Sequence, residues 1–363
     1  MSSTMEKAQP FFSIVMPAYG VEQYIEKSIK SIQKQTFSDW ELIVVDDCTK
    51  DMSAKIAQKI ADGDSRIQVL HLEENMGLSM ARNQGMKLAT GNYVWFPDSD
   101  DYVDSDLLQN VFDSLKESLA QIVVFGLQEE YFDKKGKFSY AHEIRPQRHL
   151  YRNAKDLRQN IIHLEQQTLY GYAWNKIYDL NYLKQKKFQF EKVTLIEDIV
   201  FNIGYCMDIT SMNLLDIAPY HYAKRNMEGS LTNKFVPDYY KLHRRRIALL
   251  LDQFQYWDMD TEDIRRVLGS LYGRYIFSAL MRNCDPRAGM THQERYIWTR
   301  RLFDEGLFNT LIPCSKAEDS KPLAILLLLL KWKRSMLCLI MGRLIYIVQM
   351  KLKTIFTKVR SGR

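Results

Sequence analysis

Tyr93-Val-Trp-Phe-Pro-Asp-Ser-Asp-Asp101 sets four large apolar residues against three acids within nine positions. Apolar residues at successive positions suit a strand covered on both faces, and a proline followed by acids ends it at a sheet edge. Working outward, Phe11–Tyr19, Trp40–Asp47, Ile67–Leu72 and Ile122–Leu127 read as further buried strands. Between them, Val21–Gln35, Asp51–Ile60, Leu78–Leu88 and Asp106–Leu119 carry apolar residues at three- and four-residue spacing, the signature of helices packed on one face. Asp51 and Asp104 or Ser105 are the expected N-caps. Strand and helix in alternation predict an α/β fold with a mostly parallel, Rossmann-like sheet.

In such a sheet, ligands collect beyond the carboxyl ends of the strands. Three polar clusters fall there: Pro17-Ala-Tyr19, Asp46-Asp47 and Asp98–Asp101. Asp98, Asp100, Asp101 and Asp104 crowd so much negative charge together that a divalent cation would relieve it. Hard oxygen ligands select Mg²⁺ or Mn²⁺, which also take substrate phosphates. The bland alternative is a set of helix-capping acids on a solvated turn. No G-x-G-x-x-G follows the first strand and no G-x-x-x-x-G-K-[ST] occurs, which argues against a dinucleotide dehydrogenase or a P-loop NTPase.

Ser13-Ile-Val-Met-Pro-Ala-Tyr19, Leu42-Ile-Val-Val-Asp-Asp47, Asn75–Gly85 and Phe96-Pro-Asp-Ser-Asp-Asp101 together resemble family 2 glycosyltransferases, in that family's order and spacing. The resemblance covers residues 11–225. It implies the GT-A fold, a nucleotide-sugar donor (most often a UDP-sugar) and inversion at the anomeric carbon. It further implies that Pro17 and Tyr19 line the base pocket, that Asp47 accepts from the base, and that Arg82 lies near the ribose and diphosphate. Asp98 and Asp100 match the metal motif, with Asp101 beside them. Cys48 stands where the family usually has glycine or asparagine.

Inverting transfer needs a base for the acceptor hydroxyl. Leu195-Ile-Glu-Asp-Ile-Val-Phe201 is similar to the family's acidic motif, which makes Asp198 the expected base and Glu197 the second choice. The alternative is a pair of acids that merely favour a helix N-terminus. Ala173-Trp-Asn-Lys-Ile-Tyr178 resembles a segment of bacterial members that build surface polysaccharides. Trp174 is a candidate acceptor platform, with a core role equally open, and Lys176 and Asp101 are candidate phosphate or acceptor contacts. His221-Tyr-Ala-Lys-Arg225 is a candidate flap over the diphosphate.

The formal charge is +6, yet ten basic residues and no acid lie from Lys321 onward, so residues 1–320 carry −4. That split favours an anionic membrane surface over nucleic acid. The apolar runs Pro322–Leu330 and Ser335–Gly342 are too short to span a bilayer. The tail is therefore expected to lie on a membrane, or else to pack on the body or on a second subunit as a homo-oligomer. Five scattered cysteines without a C-x-x-C pair, and a polar residue 1–10 segment, fit a cytoplasmic protein peripheral on the inner membrane face. The expected layout is a polar tail at 1–10, the α/β domain at 11–235, a helical extension at 236–320 and the membrane-associating tail at 321–363. The expected activity is metal-dependent sugar transfer to a glycan or lipid-linked oligosaccharide in surface polysaccharide synthesis. A non-catalytic nucleotide-sugar or polysaccharide-binding subunit on the same fold is the alternative.

Overall fold

The computed structural model describes residues 9–133, 136–225, 235–317 and 320–351. The chain divides into two compact units, Met1–Ser230 and Leu231–Arg363. In the first, β1 (Phe12–Ala18), α1 (Ile25–Gln33), β2 (Trp40–Asp46), α2 (Ser53–Ala61), β3 (Ile67–His71), α3 (Leu78–Leu88) and β4 (Tyr93–Trp95) alternate as the apolar pattern requires. Then follow β5 (Tyr102–Val103), α4 (Leu107–Glu117), β6 (Ile122–Phe132), β7 (Phe138–Ile144), β8 (His149–Tyr151) and α5 (Ala154–Gln166). β9 (Lys176–Asp179), α6 (Leu180–Lys186), α7 (Glu197–Cys206) and β10 (Met212–Lys224) complete the unit.

The sheet runs β3-β2-β1-β4-β9-β6-β10-β5, with β7 on β6 and β8 on β10. Its first four strands are parallel, and all seven residues of β1 are buried, which explains why all but Ser13 are apolar. The second half is mixed rather than parallel, because β9 enters antiparallel between β4 and β6. Register aligns Ala18 with Asp46 and Asp46 with His71, so the clusters after β1 and β2 meet at one edge.

Two local devices place α3. Asp47 accepts from the N–H groups of Met76 (2.7 Å) and Gly77 (2.8 Å), and Gly77 turns the chain into the helix at φ +86°. Gly85 then lets α3 close on the sheet, since a Cβ there would come within 2.4 Å of Val15 Cγ1. The expected caps differ at α4: its N-cap is Asp106, which makes no side-chain cap bond, and Gln35 Oε1 instead accepts from Leu108 N at 3.0 Å. At α2 the N-cap is Met52 rather than the expected Asp51, which lies one residue earlier and accepts from Ser53 N at 3.0 Å.

The second unit is helical: α8 (Tyr239–Tyr256), α9 (Glu262–Arg282), α10 (His292–Leu302), α11 (Gly306–Leu311), α12 (Lys321–Lys331) and α13 (Ser335–Lys351). The segment from 321 is not a free tail through its described part. Leu323, Leu327, Leu330 and Cys338 are buried, and α13 packs on α9 at Gly342, where Leu280 lies. The more distal basic residues Lys353, Lys358, Arg360 and Arg363 lie outside the described residues, as do most of the expected N-terminal polar tail and residues 226–234 at the expected domain boundary.

Candidate active site

Asp98–Asp101 leave β4 and cross to β5, which pairs antiparallel with β10 through Tyr102 and His221. The run is held from below by Tyr220, whose hydroxyl accepts from Asp98 N (3.2 Å) and donates to Asp101 (2.9 Å). Asp101 also accepts from Ala223 N at 2.9 Å and is buried. Asp101 is thus an anchor: only 3% exposed and tied through both oxygens to β10, it does not reach the surface where an acceptor or phosphate contact was expected of it. Asp98 and Asp100 remain accessible, with side chains 28% and 48% exposed.

Arg82, buried on α3, joins two motifs far apart in sequence. Its Nη2 donates to Asp98 at 2.9 Å and its Nη1 to Asp198 at 2.5 Å. Asp198 sits in the first turn of α7, and its second oxygen accepts from Ala173 N at 2.9 Å. Leu195, just before, takes φ +71°, a conformation that costs a branched residue about 1–3 kcal/mol and that turns the chain into α7. Neighbouring Glu197 has its Oε2 buried without a hydrogen-bond partner.

Charge dominates here. Burial raises Asp98 to about 7 against the pull of Arg82, and Asp100 and Asp198 push the same way. Burial also raises Asp100, opposed by Arg225, and raises Asp101 well above the carboxylate range with help from Asp100 and Asp98. Burial and the adjacent Asp198 charge lift Glu197 to about 7. Burial works against the Arg82 charge, yet Asp198, Asp98 and Glu197 outweigh it and hold the guanidinium above its ordinary value. Five carboxylates thus share two guanidinium groups, Arg82 and Arg225, an imbalance that suits a cation. The accessible donors are carboxylate oxygens, as Mg²⁺ or Mn²⁺ prefer. Among the described residues no group of three or more His, Cys, Asp or Glu is arranged to hold a metal alone, so water or phosphate oxygens would have to complete its coordination.

The nucleotide candidates divide. Tyr19 is half exposed at the end of β1, next to buried Pro17, as a stacking residue should be. Asp47 is buried with each oxygen already accepting a backbone N–H, so its first task is to seat α3. Asp46, beside it, binds Thr49 N at 2.9 Å and His71 Nδ1 at 2.9 Å, which ties β2 to β3.

Trp174 and Lys176 need correction. Trp174 is buried, stacked on Tyr172 (4.5 Å) and Tyr220 (4.3 Å), and cannot present a free face. Tyr172, at one end of that stack, and Tyr222, tilted beside it at 5.4 Å from Trp174, are only partly buried. Lys176 lies in the core, donating to Leu169 O (2.7 Å), Tyr172 O (2.6 Å) and Asn175 Oδ1 (2.8 Å). Burial pushes it down to about 7, yet three acceptors require three donors, which only the ammonium has. It fastens the loop before β9 and meets no phosphate.

Of the segment His221–Arg225, the first four residues lie within β10, and the Arg225 side chain, just past it, reaches the acidic run. It donates to Asp100 O at 2.9 Å and stacks over Tyr24 at 3.9 Å. His221 turns away, between Glu130 and Asp104 at 3.0 Å each, and Lys224 pairs with Glu129. Sequence reasoning missed Tyr220 and Tyr222. Their signal was the period-two spacing Tyr220, Tyr222, Lys224 along a strand, which places all three on one face.

Comparisons with known proteins agree with this geometry. Residues 13–178 match the model of glycosyl transferase family 2, and the chain carries a family 2 glycosyltransferase domain. It is 34% identical over 226 residues to the uncharacterized glycosyltransferase EpsJ of Bacillus subtilis, a match that covers 61% of this chain and 63% of EpsJ. It is 30% identical over 246 residues to glycosyltransferase GlyA of Streptococcus pneumoniae, covering 66% of this chain but 34% of GlyA. The chain therefore spans less than two thirds of either relative. Among solved structures, residues 1–349 of S. aureus TarS with UDP-GlcNAc superpose with a TM-score of 0.61 at 22% identity, covering 97% of this chain and 92% of that one. The fold is of the GT-A type.

Proposed function

We propose that this protein is a metal-assisted, inverting glycosyltransferase that moves a sugar from a UDP-sugar to a hydroxyl of a glycan or lipid-linked oligosaccharide during surface polysaccharide synthesis. The observation that carries the proposal is the Asp98–Arg82–Asp198 bridge. It sets a donor-phosphate motif and a candidate base on one guanidinium. The likeness to TarS, named a poly(ribitol-phosphate) β-N-acetylglucosaminyltransferase and solved with UDP-GlcNAc, supports the donor class and the polymer context. A Pyrobaculum calidifontis mannosyltransferase solved with GDP-Man and Mn²⁺ (TM-score 0.51, 13% identity) supports a metal.

Tyr19 stacks on the base, and Asp47 keeps one lone pair per oxygen for it. Asp98 and Asp100 would hold Mn²⁺ or Mg²⁺, which when bound offsets charge on the departing diphosphate. Arg82 and the Ala173 N–H fix both oxygens of Asp198, each with a lone pair left to accept a proton. The acceptor oxygen attacks the anomeric carbon, its proton passes to Asp198, and the bond to diphosphate breaks with its electron pair on the phosphate oxygen. Tyr172 and Tyr222 take the acceptor-facing role that the sequence assigned to Trp174.

Thermal stabilisation by a panel of nucleotide sugars, with and without Mn²⁺, tests the donor. A true donor at 100 times its Kd should add about 2.7 kcal/mol. Metal-stimulated donor hydrolysis without acceptor then separates an enzyme from a binding subunit. Binding with no turnover in any condition would overturn the catalytic reading.

A further inference from the structure

Helix α13 carries most of its large apolar residues outward, and α12 is apolar on its exposed side as well as its buried one. On α13 the covered positions are the small residues Ser335, Cys338 and Gly342. Met336, Leu337, Ile340, Leu344 and Val348, spaced three to four apart around one stripe, are 38% to 60% exposed. Ile325, Leu328 and Trp332 extend the exposed apolar surface along α12. A soluble helix normally does the reverse.

Charge says what covers this face. Lys321, Lys331, Lys333, Arg334 and Arg343 are exposed, and no acid occurs from Lys321 to Lys351. Lys331 and Lys333 reach back to Ser315 O and Asn309 Oδ1, which leaves Arg334 at the corner between the helices and Arg343 on the stripe itself. At that corner Trp332, Arg334 and Leu337 border a shallow, open recess, a guanidinium beside apolar groups. Two copies laid face to face would bring like-charged rims together. An anionic bilayer meets the apolar stripe with acyl chains and the rim with phosphates. From Met336 to Val348 the stripe runs about 18 Å at 1.5 Å per residue, and no described helix is long and apolar enough to cross a membrane. On a bilayer, helices of this length would lie in the interface.

We propose that the outward face of α12 and α13 docks on an anionic phospholipid surface, with Arg334 and Arg343 on lipid phosphates and Trp332 at the headgroup level. This docking is independent of the glycosyl-transfer reading, since it needs neither donor nor metal.

The full chain is sedimented with vesicles of phosphatidylglycerol and phosphatidylcholine, and with pure phosphatidylcholine. Binding should be at least about tenfold tighter to the anionic vesicles and should weaken in high salt. Brominated acyl chains should quench tryptophan fluorescence in the unaltered protein but not in Trp332→Phe. Ile340→Asp with Leu344→Asp should abolish sedimentation with an unchanged melting temperature. Arg334→Gln with Arg343→Gln should erase the preference for anionic lipid. Failure to bind phosphatidylglycerol vesicles overturns the proposal, as does binding that survives the double aspartate substitution. So does a concentration-dependent dimer that those aspartates dissociate without any vesicle binding, which would make the face a self-association surface.

Discussion

The two units depart from the usual sorting of residues in opposite directions. The α/β unit gathers carboxylates into a partly buried cleft, Asp98, Asp100, Asp101, Glu197 and Asp198 around Arg82. The helical unit turns leucines, isoleucines and a tryptophan outward on α12 and α13. Burying charge costs free energy unless it is paired, and exposing apolar surface costs free energy unless it is covered. On the readings proposed above, each departure answers to a ligand: a cation with phosphate in the first, an apolar and anionic surface in the second.

The largest effect expected is on catalysis. Asp198→Asn should lower kcat about 10²–10⁴-fold while leaving donor affinity intact, as single-turnover kinetics and calorimetric titration would read. Normal turnover would demote Asp198 to a partner of Arg82. Next comes the core contrast to the cleft: Lys176→Met strands three buried acceptors and should cost about 3 kcal/mol in denaturant unfolding, with the donor Kd of the folded fraction unchanged. A weakened donor Kd would restore the phosphate role. Asp100→Ala should weaken Mn²⁺-dependent donor binding by about 10–100-fold and leave metal-free binding alone.

A subtler test lies in pH. Glu197 has its folded pKa raised from 4.5 to about 7, so between those values the folded state holds more protons than the unfolded one. Stability from this group is present below pH 4.5 and lost as pH rises through 7. Glu197→Gln should therefore raise the melting temperature at pH 8 and leave it unchanged near pH 4. The smallest effect separates the exposed from the buried apolar positions of α12 and α13. Ile340→Gln, on the exposed stripe, should change unfolding stability by less than about 0.5 kcal/mol, whereas buried Leu327→Ala on α12 should cost about 2–5 kcal/mol. Equal costs would mean that the stripe is packed.

Much of the first unit was legible because its cues are local. Buried parallel strands such as Phe12–Ala18 announce themselves as nearly continuous apolar runs, and helices such as Leu78–Leu88 by their period. The missed elements lack such cues. Phe138–Ile144 is an edge strand with nearly every residue exposed, so nothing selects for alternation. Lys176–Asp179 opens on a lysine that reads as surface until its three acceptors are seen. Trp174 offered the same ambiguity, an aromatic that serves a core or a sugar equally well in sequence.

By itself the sequence determined the α/β class, the strand ends where polar residues gather, and the family whose motifs they compose, because each rests on spacing within a few residues. Tertiary structure alone decided which of those residues face a ligand. Arg82, Asp98 and Asp198 meet across 116 positions. Asp101 turns inward onto Tyr220, and α13 covers Gly342 while leaving Ile340 bare. Burial and pairing are properties of distant neighbours, and they set whether a carboxylate, a lysine or a leucine is anchor or surface.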